Sequence, residues 1–188
     1  MGKVLVVIGD AAEVLDTMYP LFRLKEENYQ PVVAGPDKRV YHLVQHDKHP
    51  DWDITMESPG YNLAADIAFR DVNPAEYLGI IISGGRAPEY LRYDADLCQI
   101  VRYLAENQCP VAAVCHGIEI LTAANVIRGK TVTTVGKCRY DAEAGGAKYV
   151  DQEVVVSGNI VTARTWHDNH AFLREFLKLL QRDKKVKG

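Results

Sequence analysis

Three apolar runs, each broken off by small or polar residues, limit what this chain can fold into. Val4–Ile8 ends in Gly9-Asp10, Leu78–Ser83 ends in Gly84-Gly85, and Val111–Val114 ends in Cys115-His116-Gly117. Short continuous apolar runs of this kind read as strands buried on both faces. Between them the period changes to that of a helix. From Glu13 onward Val14, Met18, Leu21, Phe22 and Leu24 recur at helical spacing as far as Lys25-Glu26-Glu27-Asn28. Gln30–Ala34 then reads as a second strand closed by Gly35-Pro36, and 94–107 as an amphipathic helix with Leu97, Ile100, Val101 and Leu104 on one face and Cys98 packed beside them. Strand–helix–strand units of this length require a parallel sheet with helices on its faces. A single-domain, doubly wound α/β fold follows, whose ligands gather at the carboxyl edge of the strands. The chain of 188 residues suffices for one sizeable core, with the domain expected over 1–182 and a basic tail over 183–188.

The remaining segments are less regular. The stretch 37–60 carries three histidines and several aspartates and reads as a surface or functional loop, with at most a short strand over 54–56. Segment 66–69 is a weak strand or turn, and Asn73-Pro74-Ala75-Glu76-Tyr77 a capped helical turn. Beyond the third apolar run, 131–135 reads as a strand and 152–157 and 160–163 as a hairpin about Gly158-Asn159. A final helix spans 167–180, with Phe172, Leu173, Phe176, Leu177 and Leu180 facing the core.

Cys115 is the residue on which function turns. Gly117, Ile118, Ile120, Leu121 and Ala124 begin a packed helix directly after the strand, which puts Cys115 on a strand-to-helix corner like a nucleophile elbow. A thiol at a helix N-terminus is expected to favour its thiolate.

Charge and composition exclude other classes. A net charge of −3 offers no field for nucleic acid. No apolar stretch reaches the length of a signal peptide or a membrane span, so a cytoplasmic protein is expected. Cys98, Cys109, Cys115 and Cys138 show no paired spacing and read as reduced thiols. His42, His46, His49, Asp47 and Asp51 match no ligand pattern and read as polar loop residues, so neither a metal nor another cofactor is expected.

Ala113-Val114-Cys115-His116-Gly117, together with Ser83-Gly84-Gly85-Arg86-Ala87-Pro88-Glu89-Tyr90-Leu91, resembles the ThiJ/PfpI superfamily. The likeness extends over nearly the whole chain, through Asp16 ahead of Pro20, the Asn73-Pro74 turn and the 154–159 hairpin. Thr55–Asn62 and Thr165–Phe172 are closest to the glyoxalase III or deglycase branch. The resemblance implies a class I glutamine amidotransferase-like, flavodoxin-like fold. It implies Cys115 as nucleophile, His116 as general acid/base and Glu89 as the group that orients the histidine. It further implies an oxyanion hole at Gly85 and the His116 backbone, and a protonated carboxyl at Asp16, where the family commonly carries glutamate. Glu13 is a substitute for Asp16 from the same turn, and His170 and Cys138 are further pocket candidates. In PfpI-like proteins the orienting glutamate comes from a neighbouring subunit, which implies a homo-oligomer, a dimer or hexamer. The leading expectation is an enzyme of small reactive carbonyls, by glyoxalase III or deglycase chemistry. A peptidase or amidase, and a redox-sensing or chaperone-like stress protein, are the alternatives.

Overall fold

Strand β1 (Lys3–Val7) lies inside a seven-stranded sheet and pairs in parallel with both β2 (Gln30–Gly35) and β6 (Tyr77–Ile82). These relations come from a computed structural model that describes residues 1–186, and side chains as far as residue 182; of the basic tail expected over 183–188, the backbone of 183–186 continues the last helix and the rest lies outside the described residues. Helix α1 (Val14–Glu26) connects β1 to β2. A hairpin follows, β3 (Val40–Asp47) and β4 (Met56–Ala64), and then the short edge strand β5 (Ile67–Ala68). After β6 come α2 (Ala87–Leu91), α3 (Ala95–Glu106), β7 (Val111–Val114) and α4 (Ile118–Ala123). A small parallel pair, β8 (Thr131–Val132) and β9 (Lys148–Tyr149), brackets α5 (Arg139–Ala144). The chain closes with β10 (Val154–Ser157), β11 (Ile160–Ala163) and α6 (Asn169–Val186).

The main sheet runs β10-β11-β7-β6-β1-β2-β5, parallel throughout except for β10, which turns back against β11. Val4–Ile8, Ile80–Ile82 and Val111–Val114 are all buried, as strands covered on both faces must be. Helix α6 seals one face with Phe172, Phe176 and Leu180, while α3 contributes Leu97, Val101 and Leu104. The fold is the mixed α/β sandwich that the alternation of periods predicts.

Three expectations require correction. Segment 37–60 is not an irregular loop: β3 and β4 form a hairpin whose buried Tyr41 and Leu43 alternate with exposed His42. The alternation is hidden because the outward positions carry histidine, glutamine and aspartate, and because the register shifts between His42 and Val44. His42, His46 and Asp47 are accordingly strand residues. Phe22, expected in the core, is 56% exposed, because the buried stripe of α1 runs through Val14, Thr17, Leu21 and Leu24. Strand 131–135 is shorter than expected and belongs to the small pair rather than to the main sheet.

Candidate active site

The carboxyl ends of β1, β6 and β7 converge where the sheet delivers Cys115. The chain turns there with Cys115 at a φ of 56°, a left-handed conformation that costs a side-chain-bearing residue energy and marks a strained elbow. The Thr134 hydroxyl donates to the Cys115 carbonyl at 2.6 Å and pins the corner from outside the main sheet. One strand over, Gly85 has a φ of 78°, and a Cβ there would stand 2.3 Å from the Ala11 carbonyl oxygen. Only glycine lets the β6 loop press so closely on the β1 loop. The amides of Gly85 and His116 both approach the Cys115 sulfur and favour its anionic form. Two fixed N–H donors on one side of a nucleophile have the arrangement of an oxyanion hole.

His116 lies half-buried beside the cysteine, with Nδ1 3.3 Å from Sγ. Burial, with Lys137 acting in the same direction, pushes its imidazole down to about 4. The ring is therefore neutral at pH 7 and able to accept a proton. Burial, joined by the Asp16 carboxyl once that group is ionised, pushes the Cys115 thiol up to about 12, against the pull of the His116 and Gly85 amides. Burial therefore works against the thiolate expected at this corner, while the two amides work for it. Cys115 is only 5% exposed, and the helix beyond it is a single turn, Cys115–Gly117, followed by the six residues of α4. Burial favours the neutral form of both side chains, and the geometry places His116 Nδ1 where it can exchange a proton with the thiol.

Asp16 is fully buried behind the sulfur, on the first turn of α1. Its Oδ1 accepts from Asn169 Nδ2 at 2.9 Å, and its Oδ2 has no hydrogen-bond partner. Burial first, then the charge of Glu13, raises its carboxyl to about 8. Asp16 thus keeps its proton at neutral pH and does not repel a thiolate formed during reaction. Glu13 is equally buried, but Oε2 accepts the Asp16 amide at 2.7 Å and caps α1. It supports Asp16 from behind and does not line the cavity in front of the cysteine.

That cavity holds about 730 Å³, room for a small molecule. Its floor is Cys115 and His116; its walls include Glu89 and Arg86 from α2 and the turn before it, Glu57 and His46 from the hairpin, and Lys137. Glu89 pairs with Arg86 at 3.4 Å, its side chain 46% exposed. His46 Nε2 meets Glu57 Oε2 at 3.0 Å. His170, a pocket candidate from sequence, is excluded: its side chain is 61% exposed and pairs with Glu153 at 3.1 Å outside the cavity. Thr165, Trp166 and His167, just ahead of α6, take the place expected of it. Cys138 is buried behind His116 rather than in the cavity wall, with Sγ donating to Glu119 Oε1 at 3.6 Å.

Sequence reasoning missed Thr134, Asn169, Lys137 and the hairpin residues His46 and Glu57. No local signal marks the first three. The buried alternation of Tyr41 and Leu43 could have placed His46 on a strand.

Residues 2–179 match the model of the DJ-1/PfpI family. A deglycase of Thermococcus kodakarensis is 38% identical over 179 residues, covering 95% of this chain and 99% of its own. Deglycase PfpI of Pyrococcus furiosus is 36% identical with the same coverage. A crystal structure of a two-domain protein from Anabaena variabilis, containing DJ-1/ThiJ/PfpI-like and ferritin-like domains, superposes with a TM-score of 0.79 at 27% identity. That match covers 97% of this chain and 48% of the other, so the chain spans about half of the two-domain protein.

Proposed function

The chain belongs to the DJ-1/PfpI family, and from that premise we propose that it is a cofactor-independent cysteine enzyme acting on small reactive carbonyls, of the deglycase or glyoxalase III type. One observation carries the reading: a cysteine held at a φ of 56° with the Gly85 and His116 amides at its sulfur, opening on a cavity sized for a small molecule. The relatives named deglycases support it.

As a 2-oxoaldehyde enters, His116 takes the Cys115 thiol proton, and the sulfur adds to the aldehyde carbon. The carbonyl oxygen becomes the hydroxyl of a hemithioacetal by receiving that proton, with the Gly85 and His116 amides bearing its charge in between. His116 then removes the proton from the carbon bonded to sulfur and returns one to the neighbouring carbon, while the adduct's hydroxyl proton passes to the neighbouring carbonyl oxygen, which converts the adduct to a thioester of a 2-hydroxy acid. Water cleaves the thioester and regenerates the thiol. In the deglycase variant the sulfur displaces the amine of an early glycation adduct, and the amine leaves with the proton held by His116. Asp16 stays neutral throughout and spares the sulfur a buried negative neighbour.

Glu89 fits an orienting role from a second copy of the chain, as the resemblance implies. Its carboxylate stands at the cavity mouth, and among the described residues it makes no hydrogen bond to His116 of its own chain. The four free cysteines accord with a reducing cytoplasm; among the described residues no helix is long and apolar enough to cross a membrane. The reading is tested by release of free N-acetylarginine from its methylglyoxal adduct. Wild type should release it and Cys115→Ala should not; equal release by both would reject the proposal.

A further inference from the structure

Behind the catalytic histidine the fold assembles a second group of side chains for which the carbonyl chemistry has no use. We propose that His116, Glu119 and Cys138 form a binding site for a zinc-type divalent cation, and that its occupancy withdraws His116 from catalysis. The inhibitory consequence rests on the carbonyl-enzyme reading, whereas the binding site does not.

One ring nitrogen of His116, a carboxylate oxygen of Glu119 and Cys138 Sγ lie within 4.8 Å of one another. His116 and Glu119 are three positions apart at the start of the elbow helix, which places them on one face of it. Cys138 arrives from the turn that opens α5. One nitrogen, one oxygen and one sulfur donor are the mixed set that zinc accepts, with water as a fourth ligand. Glu119 is 7% exposed and Cys138 is 2% exposed, whereas His116 reaches the cavity, which gives an ion its way in.

A second observation points to a ligand. Glu119 Oε2 is buried and makes no hydrogen bond. That oxygen forms an ion pair with Arg92 Nη1 at 3.4 Å, a nitrogen that spends its hydrogen bond on Asp141 at 3.1 Å. The oxygen is thus charge-paired but receives no hydrogen bond, and a cation between it and Cys138 would supply the direct ligand contact it lacks. On binding, the thiol proton that Cys138 now directs at Glu119 Oε1 leaves to solvent, and a metal–sulfur bond takes its place.

The consequence for His116 is the same whichever ring nitrogen binds. If the metal takes Nδ1, that nitrogen is lost to the Cys115 sulfur 3.3 Å away. If it takes the other, the ring carries its proton on Nδ1 and cannot accept one from the thiol. Either way the base is occupied.

Cobalt(II) is the probe, because a thiolate ligand announces itself by a near-ultraviolet charge-transfer band. The expected result is one cobalt per chain with that band in wild type and in Cys115→Ala, no band in Cys138→Ser, and binding at least ten-fold weaker in Glu119→Gln. Zinc should displace the cobalt and lower wild-type turnover at least ten-fold. A band lost in Cys115→Ala, or retained in Cys138→Ser, overturns the assignment, as does the absence of stoichiometric uptake. Should circular dichroism show Cys138→Ser unfolded, unchanged affinity in a folded Glu119→Gln overturns it equally. The band is independent of turnover, so a chain that binds cobalt but leaves carbonyls untouched would refute the enzyme reading alone.

Discussion

Asp16 and Cys115 meet across Gly84. A Cβ on that glycine would stand 2.5 Å from the Cys115 Cβ and 2.6 Å from Asp16 Oδ2, so the absence of a side chain is what lets the carboxyl and the thiol share one buried space. Gly84→Ala drives a methyl between them. Overpacking of this kind costs about 1–3 kcal/mol, and the variant is expected to lose most of its turnover while remaining folded. Urea unfolding and a carbonyl assay on the same sample check this; full activity in a folded Gly84→Ala protein would contradict the geometry.

Asp16 should leave a signature in the pH dependence of stability. Its carboxyl, raised by burial from an ordinary 3.8 to about 8, holds a proton in the folded chain that the unfolded chain has released. The folded state binds more protons at this site between those values, so the contribution of Asp16 to stability falls as pH rises from about 4 to 8, at a slope approaching ~1.4 kcal/mol per pH unit, while His116, lowered by burial, contributes with the opposite sign below about 6.5. Asp16→Asn removes this contribution. The difference between wild type and Asp16→Asn in denaturant unfolding at several pH values from 5 to 8 should grow toward the acid end, since other shifted groups, Glu13 and Glu119 raised and His116 lowered, are present in both proteins.

The reactivity of Cys115 should depend on His116 rather than on a preformed thiolate. With the thiol pushed up to about 12 and the imidazole down to about 4, neither group is charged at pH 7. Alkylation of Cys115 by iodoacetamide, followed by mass spectrometry, is expected to be slow at neutral pH and to keep rising above pH 9. His116→Ala should lower kcat by about 10²–10⁴-fold, the usual worth of a positioned acid/base. A plateau in alkylation near pH 6 would show that a thiolate exists at rest.

Glu89 gives a prediction about assembly. If a second copy supplies the carboxylate that orients His116, then Glu89→Gln lowers kcat with little change in KM, and activity per chain falls on dilution below the association range. Sedimentation and kinetics on one dilution series check this, and a fully active monomer would exclude the shared arrangement.

What the sequence disclosed follows from local physics. Val111–Val114 could be read as a buried strand because burial on both faces leaves no polar position, and Cys115-His116-Gly117 stood out because it interrupts that run. The β3–β4 hairpin was hidden because only Tyr41 and Leu43 of β3 are fully buried. The ordinary-looking His46 on that strand forms part of the cavity wall. Thr134, Asn169 and Glu119 were invisible for another reason: each acts on a residue far away along the chain or on a buried neighbour, and only the folded sheet brings Asn169 to Asp16. The thiolate expected at a helix N-terminus is opposed by burial, which no local pattern of residues discloses.

The most direct measurement is consumption of methylglyoxal without glutathione, by wild type and by Cys115→Ala, beside a fluorogenic peptide assay on the same preparations. The account predicts that wild type turns the aldehyde into a 2-hydroxy acid and that the variant does not, with no peptide cleavage by either. Peptide cleavage lost in Cys115→Ala, with no aldehyde turnover by wild type, would contradict it.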